Sequence, residues 1–201
     1  MYDTTRGSNA FYGAYLCRRS RNSAAMVNCP HVIEPRTLST YARRDIPMSI
    51  KKIYQYPEPV LRQETAKIDI FDDKLVQLVE DMAETMYDAP GIGLAAPQIG
   101  QSLKLIVVDT TEDKEGEKEY MHLINPEIVA YEGSQVDEEG CLSVPELTAN
   151  VYRYLQVTVA YQDLEGEAHQ LTTNNRFAVV LQHEIDHLNG ILFIDHLSPL
   201  K

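Results

Sequence analysis

Apolar residues recur at spacings of three and four over Leu75, Leu78, Val79, Met82 and Met86, the period of a helix that buries one stripe. The pattern predicts a helix over roughly 73–88, capped by Asp72 or Asp73 and ended by Pro90-Gly91. Before it, Tyr56-Pro57-Glu58-Pro59 reads as extended or turn-like, because a residue preceding proline avoids the helical region. After it, the segment from Gly91 to Gly100 carries three glycines, one proline and small side chains, which predicts a tight irregular stretch and no regular element. Strand candidates follow at Leu103–Asp109, Met121–Asn125, Glu127–Tyr131, Leu155–Tyr161 and Ala168–Leu171. Alternation is clearest in the fourth, where Leu155, Val157, Val159 and Tyr161 face one way and Gln156, Thr158 and Ala160 the other. The acidic stretch Thr111–Lys118 reads as a solvated hairpin loop. The last element is a helix from about Asn175 to Asn189, with Asn174 or Asn175 as its cap and Gly190 as its stop. This order predicts an α+β domain: antiparallel strands packed around a C-terminal helix, with another helix before them.

Charge divides the 201 residues into two parts. Residues 1–47 hold seven Arg, no Lys and three acids, a net of +4, while the whole chain is at −12, leaving −16 on residues 48–201. The basic tail shows no period, and it is rich in Ser, Arg, Asn and Tyr. It reads as disordered or as a non-native N-terminal extension, with the catalytic domain over 48–201 and Met48 as the natural start. The run Arg43-Arg44-Asp45-Ile46-Pro47-Met48 supports that reading. Two AGG codons, three further codons and AUG would form a bacterial ribosome-binding site translated as protein. The competing reading is an organelle transit peptide, since the tail is Arg-rich and acid-poor. The first reading places the protein in the bacterial cytoplasm, the second in an organelle. The acidic body argues against a nucleic-acid footprint, and no apolar run approaches membrane-spanning length. Of the three cysteines, Cys17 and Cys29 lie in the tail, so Cys141 has no disulfide partner within the body.

The strongest local signal is His183-Glu184-Ile185-Asp186-His187. Two histidines four apart share a helix face and can bind one metal ion, with Glu184 beside them to handle a proton. A catalytic metal site usually has a third protein ligand. The longer pattern HExxHxxGxxH finds its Gly at Gly190 but Phe193 where the third His belongs; Asp195 and His196 lie nearby, and His196 reads equally as a surface residue. Cys141, in Glu139-Gly140-Cys141-Leu142-Ser143, is the other candidate, although a lone Cys in a compact domain is most often a small buried apolar group.

Three segments together resemble the signature motifs of the peptide deformylase family: Gly91-Ile92-Gly93-Leu94-Ala95-Ala96-Pro97-Gln98, Glu139-Gly140-Cys141-Leu142-Ser143 and Gln182-His183-Glu184-Ile185-Asp186-His187. Their order and spacing fit, and the likeness runs from about Ile53 to Lys201. The resemblance implies a hydrolase that removes the formyl group from the N-terminal formyl-methionine of new polypeptides and releases formate. It implies that Cys141, His183 and His187 bind one divalent metal, Fe2+ in the cell, with Zn2+, Ni2+ or Co2+ able to replace it. Glu184 would be general base and then general acid, with Gln98 and the Leu142 N–H holding the oxyanion. Gly91, Ile92, Gly93 and Gly140 would meet a substrate lying like an added strand, and Ile92, Val179, Val180 and His183 would line a methionine pocket. The expected partners are nascent formyl-methionyl peptides, with transient ribosome contact, no sequence-specific nucleic acid and no membrane, and the chain acting as a monomer.

Two positions depart from the pattern. Thr148 stands where many bacterial members carry Arg, and Arg176 where they often carry an apolar residue. Both are expected to border the substrate groove. Arg153 is expected to pair with Asp186, Glu139 to brace the Cys141 loop, and His122 and His169 to be half-exposed strand residues. The alternatives are another HExxH amidase or peptidase, and a non-catalytic metal- or peptide-binding protein of this shape.

Overall fold

The computed structural model describes residues 49–110 and 119–197. The expectations for the tail 1–47 and for the loop Thr111–Lys118 fall outside the described residues. Helix α1 spans Asp73–Asp88, and the Asp72 carboxylate accepts the N–H groups of Lys74 and Leu75. Such a cap is worth about 1 kcal/mol. The stripe forms as the period predicts, with Leu75, Val79, Met82 and Met86 buried and Leu78 packed at its margin.

Among the described residues seven strands follow: β1 (Gly93–Ala95), β2 (Leu105–Asp109), β3 (Tyr120–Glu132), β4 (Gln135–Cys141), β5 (Val144–Arg153), β6 (Gln156–Gln162) and β7 (Ala168–Asn174). Five form an antiparallel sheet in the order β1-β2-β3-β6-β7, and β4 and β5 form a separate two-stranded ladder. Helix α2 spans Asn175–Leu188. The five-stranded sheet lies between the helices. Leu105, Val107 and Ile124 join the α1 stripe, whereas Ile106, Val108, Leu123, Val157 and Val159 pack on Ala178, Leu181, Ile185 and Leu188 of α2. A third cluster of Leu61, Val144, Val151, Leu192 and Phe193 lies under the β4–β5 ladder.

Four details differ from the sequence reading. The stretch after α1 is more regular than its glycines suggest: Gly93–Ala95 pairs with Ile106–Val108, and Ala96–Ile99 forms a 3-10 helix ended by Gly100 in the left-handed region. The candidates around Pro126 are one strand, β3, whose pairing with β6 shifts register between Ile124 and Glu127. A bulge absorbs the missing proline N–H without ending the strand. Strands β4 and β5 carry no apolar alternation, since the ladder is largely solvent-facing. Asn174 occupies the N-cap of α2 without a side-chain cap bond; its Oδ1 accepts from Asn175 instead. At the other end, Gly190 has φ 70°, and a Cβ there would lie 2.9 Å from the Arg62 carbonyl, so the helix stop requires glycine. Among the described residues no helix is long and apolar enough to cross a membrane.

Candidate metal centre and substrate cavity

Helix α2 turns two faces inward. One packs on the sheet; the other carries His183, Glu184 and His187, all buried, toward the end of β4. There the two-residue turn Leu142-Ser143 links Cys141 to Val144. The Cys141 Sγ lies 3.2 Å from His187 Nε2, and the ligand atoms of Cys141, His183 and His187 fall within 4.8 Å of one another. Two imidazole nitrogens and a thiol suit a borderline or soft divalent ion.

The partners of these groups are fixed. Glu139 Oε2 lies 2.8 Å from His183 Nδ1, which leaves the other ring nitrogen for the cluster, the usual way a carboxylate orients a metal-binding imidazole. Arg153 holds Glu139 through Nε at 2.6 Å and Nη2 at 3.0 Å, and reaches Asp186 through Nη1 at 2.5 Å. The expected Arg153–Asp186 pair is therefore present; Glu139, expected to brace the Cys141 loop, is buried with its carboxylate on Arg153 and His183 instead. His196 adds a bond to Asp186 at 2.7 Å that the sequence did not suggest, and Asp195 pairs with Arg62. Phe193, at the position of the third His in the longer zinc pattern, is buried in the third core cluster.

Gln98 sits in the 3-10 helix after β1, fully enclosed. Its Oε1 accepts the Ala95 N–H at 2.8 Å, so its Nε2 must point the other way, to Ser143 Oγ at 3.1 Å and Cys141 Sγ at 3.6 Å. The amide is thus a donor aimed at the cluster. Ser143 is a site residue that the sequence reading left unassigned.

A cavity of about 470 Å³ opens onto this cluster. Gly91, Ile92, Gly93 and Gln98 line one side, Gly140 and Leu142 another, and Val179, Val180, His183 and Glu184 the α2 wall. Every residue expected to meet substrate lies here. Thr148 and Arg176 line it too, as expected, and Pro90, Glu146 and Leu147 complete the rim unannounced. A Cβ at Gly93 would overlap the Glu184 carboxylate, so glycine there leaves Glu184 its present place. The Ile92 carbonyl accepts the Asp109 N–H. At Gly140 a Cβ would meet only ordinary contacts, 3.4 Å from Thr148 Cγ2, so the protein interior does not demand glycine there.

The electrostatics favour a cation. Burial opposes charge on His183, but its Cys141 and Glu139 partners and the nearby Glu184 outweigh it and push it up to about 10. A metal ion on the same nitrogen would take the proton's place. Burial, with His183 as a second cause, holds His187 well below its ordinary value, so it is a neutral imidazole with a lone pair to give. Burial lifts Glu184 to about 7, against the pull of His183. Its Oε2 is buried without a protein partner. A carboxyl oxygen left without a protein partner near two imidazoles and a thiol is what proton transfer at a metal centre needs, so the residues present fit a divalent metal ion.

Residues 50–201 match the family model described as polypeptide deformylase. The chain belongs to the polypeptide deformylase family. It is 68% identical over 154 residues to a peptide deformylase of Desulfotalea psychrophila, an overlap covering 77% of this chain and 91% of that relative. A peptide deformylase crystal structure from Legionella pneumophila superposes with a TM-score of 0.71 at 47% identity, covering 76% of this chain and 88% of that one. A class I type b peptide deformylase from Acinetobacter baumannii, crystallised with Met-Ala-Ser bound, gives 0.70 at 32% identity over 75% of this chain and 100% of that one. The deformylase is accordingly a hydrolase of protein biosynthesis, acting on formyl-methionyl peptides. Its Cys-His-His cluster matches a single metal ion.

Proposed function

We propose that this deformylase holds one Fe2+ ion on Cys141, His183 and His187, with Zn2+, Ni2+ or Co2+ able to occupy the same ligands. The observation that carries this reading is one thiol and two imidazoles within 4.8 Å, facing a buried, unpartnered Glu184 oxygen in the wall of a cavity. A divalent ion there would lower the pKa of water toward about 7 and polarise the formyl carbonyl. Glu184 takes the proton released at the nucleophile and passes it to the leaving amine nitrogen. Gln98 Nε2 and the Leu142 N–H donate to the oxygen on which negative charge develops. The substrate lies between β1 and β4, with backbone groups offered by Ile92, Gly93 and Gly140 and close approach allowed at Gly91. Its first side chain enters the slot against Val179, Val180 and Ile92. An unbranched thioether adapts to such a slot, so formyl-methionine is preferred. That the Acinetobacter relative was crystallised with Met-Ala-Ser supports this placement.

The working unit is residues 48–201, acting as a monomer in the bacterial cytoplasm on nascent chains, in transient contact with the ribosome. The bacterial sources of the curated relatives support this setting.

The test is formate release from formyl-Met-Ala-Ser, with bound metal measured in the same sample. One metal per chain and a kcat/KM for the formyl-Met peptide orders of magnitude above that for formyl-Ala-Ala-Ser support the assignment. Equal rates for the two peptides would remove the proposed slot. General peptidase activity without formate release would favour the wider HExxH class.

A further inference from the structure

Among the described residues strand β4 pairs only with β5, so one of its long sides has no strand partner among them. That side reaches the cavity at Gly140, and an unpaired edge is a template for an added strand. If the reacting end of a peptide is at Cys141, the last residue of β4, a peptide lying along this edge runs from Gly140 toward Val136. The pairing of β4 with β5 is regular from Gln135 to Gly140, and alternate residues of an antiparallel ladder direct their backbone groups to the same side. Glu138 is therefore the next edge position after Gly140.

The carbonyl at that position already has a partner. Arg176 lies on the cavity wall of α2, three, four and seven residues before Val179, Val180 and His183. Its Nη1 donates to the Glu138 backbone carbonyl at 3.2 Å and to Asp137 Oδ1 at 2.8 Å. The exposed ion pair with Asp137 sets the guanidinium across the edge.

We propose that Arg176 is a specificity-determining residue that ends the substrate-binding edge of β4 after Gly140. The proposal rests on the deformylase reading of the cavity and says how much of the peptide is read. Only the formyl-methionyl residue and its immediate neighbours find backbone partners on β4. Residues further along the peptide gain nothing from the edge, so chains that differ downstream are treated alike. A mere structural latch between α2 and β4 would leave no dependence on peptide length.

The test compares formyl-Met-Ala-Ser with an octapeptide beginning in the same three residues, using metal-loaded wild type, Arg176→Ala and Asp137→Asn. In the wild type the kcat/KM ratio of long to short peptide stays within about twofold. In Arg176→Ala the freed Glu138 carbonyl and the edge beyond it can pair, and the ratio rises by about twofold to tenfold for each hydrogen bond gained, carried by KM. Asp137→Asn, which keeps the guanidinium but loosens it, raises the ratio less. Because both peptides share the reacting end, damage to the methionine slot cancels in the ratio. Calorimetry with the unformylated peptides Met-Ala-Ser and its octapeptide extension reads the same ratio without turnover. No formate from the wild type would sink the functional reading, while calorimetry still reports on Arg176. A long-to-short ratio that is unchanged or lower in Arg176→Ala overturns the proposal, the lower value meaning that Arg176 serves the peptide as a donor.

Discussion

Gln98 has no freedom to turn its amide over. With Oε1 on the Ala95 N–H, flipping would set two donors against each other in a buried place, at a cost of about 1–3 kcal/mol for the unsatisfied group. Gln98→Glu keeps the acceptor toward Ala95 and removes the donor toward the cluster. We expect kcat to fall by about 10²–10³ with bound metal unchanged; a variant with wild-type kcat would remove Gln98 from the oxyanion site. Glu184 lines the α2 wall of the same cavity but is no ligand in this arrangement. Glu184→Ala should retain one metal per chain and lose about 10²–10⁴ in kcat. Loss of metal stoichiometry in that variant would instead make Glu184 part of the ligand set. The placing of His183 and His187 on one helix face was legible as a pattern of types, because residues four apart share a helix face, and α2 supplies the helix; the role of Gln98 came only with the family resemblance. What the sequence did not carry was direction: nothing in Ser143 or Ala95 says that they fix which end of Gln98 faces the cluster.

At the scale of elements, what was legible follows burial. Helix α1 and strand β6 bury one face, so their periods appear in the chain as Leu75-Val79-Met82-Met86 and Val157-Val159. The β4–β5 ladder hid because its stabilising contacts are polar and distant in sequence. Glu139, Arg153 and Asp186 span nearly fifty residues, and Asp137-Glu138-Glu139 looks like a solvated acid run until the fold shows that each has a different partner. β1 hid for another reason: three residues are too few to show alternation. The buried Arg153 makes its own prediction. Removing one partner of such a group leaves uncompensated charge, at a cost of about 3–5 kcal/mol, so Arg153→Met should lower the urea midpoint at pH 7. Burial alone would raise the Glu139 carboxyl, but the His183 and Arg153 hydrogen bonds outweigh it and hold it down to about 2. A depressed carboxyl contributes stability that is complete above its ordinary value near 4.5 and lost as pH falls through about 2. Arg153→Met weakens that depression, so its Glu139-linked loss below pH 4.5 should be smaller and end at higher pH, and the gap between the two proteins should narrow as pH falls. Urea midpoints at pH 7, 4 and 2.5 read this; parallel decline of the two proteins would show that Arg153 does not set the Glu139 charge.

For the molecule as a whole, the cluster lies where two separately built parts meet. His183 and His187 ride on α2, which packs on the five-stranded sheet, whereas Cys141 ends β4 of the two-stranded ladder. The ladder has its own small apolar cluster around Leu61, Val151 and Phe193, and among the described residues no strand joins it to the larger sheet. An ion held by all three ligands would therefore bind only when ladder and helix are in register, which makes its binding energy folding energy. Free metal at about 1,000 times its Kd adds about 4 kcal/mol, or about 8–16 °C in Tm for a domain of this size. Chelation of the purified enzyme should lower Tm by that order, and restoring Fe2+ or Zn2+ should return it. Cys141→Ala keeps both histidines but cuts the link to the ladder. Its Tm should sit near that of the chelated wild type and respond little to added metal, and Cys141→Asp should recover part of the response by supplying an oxygen ligand. A Cys141→Ala protein that gains as much from metal as the wild type would mean that the thiol is packing alone and that the ion, if bound, belongs to α2.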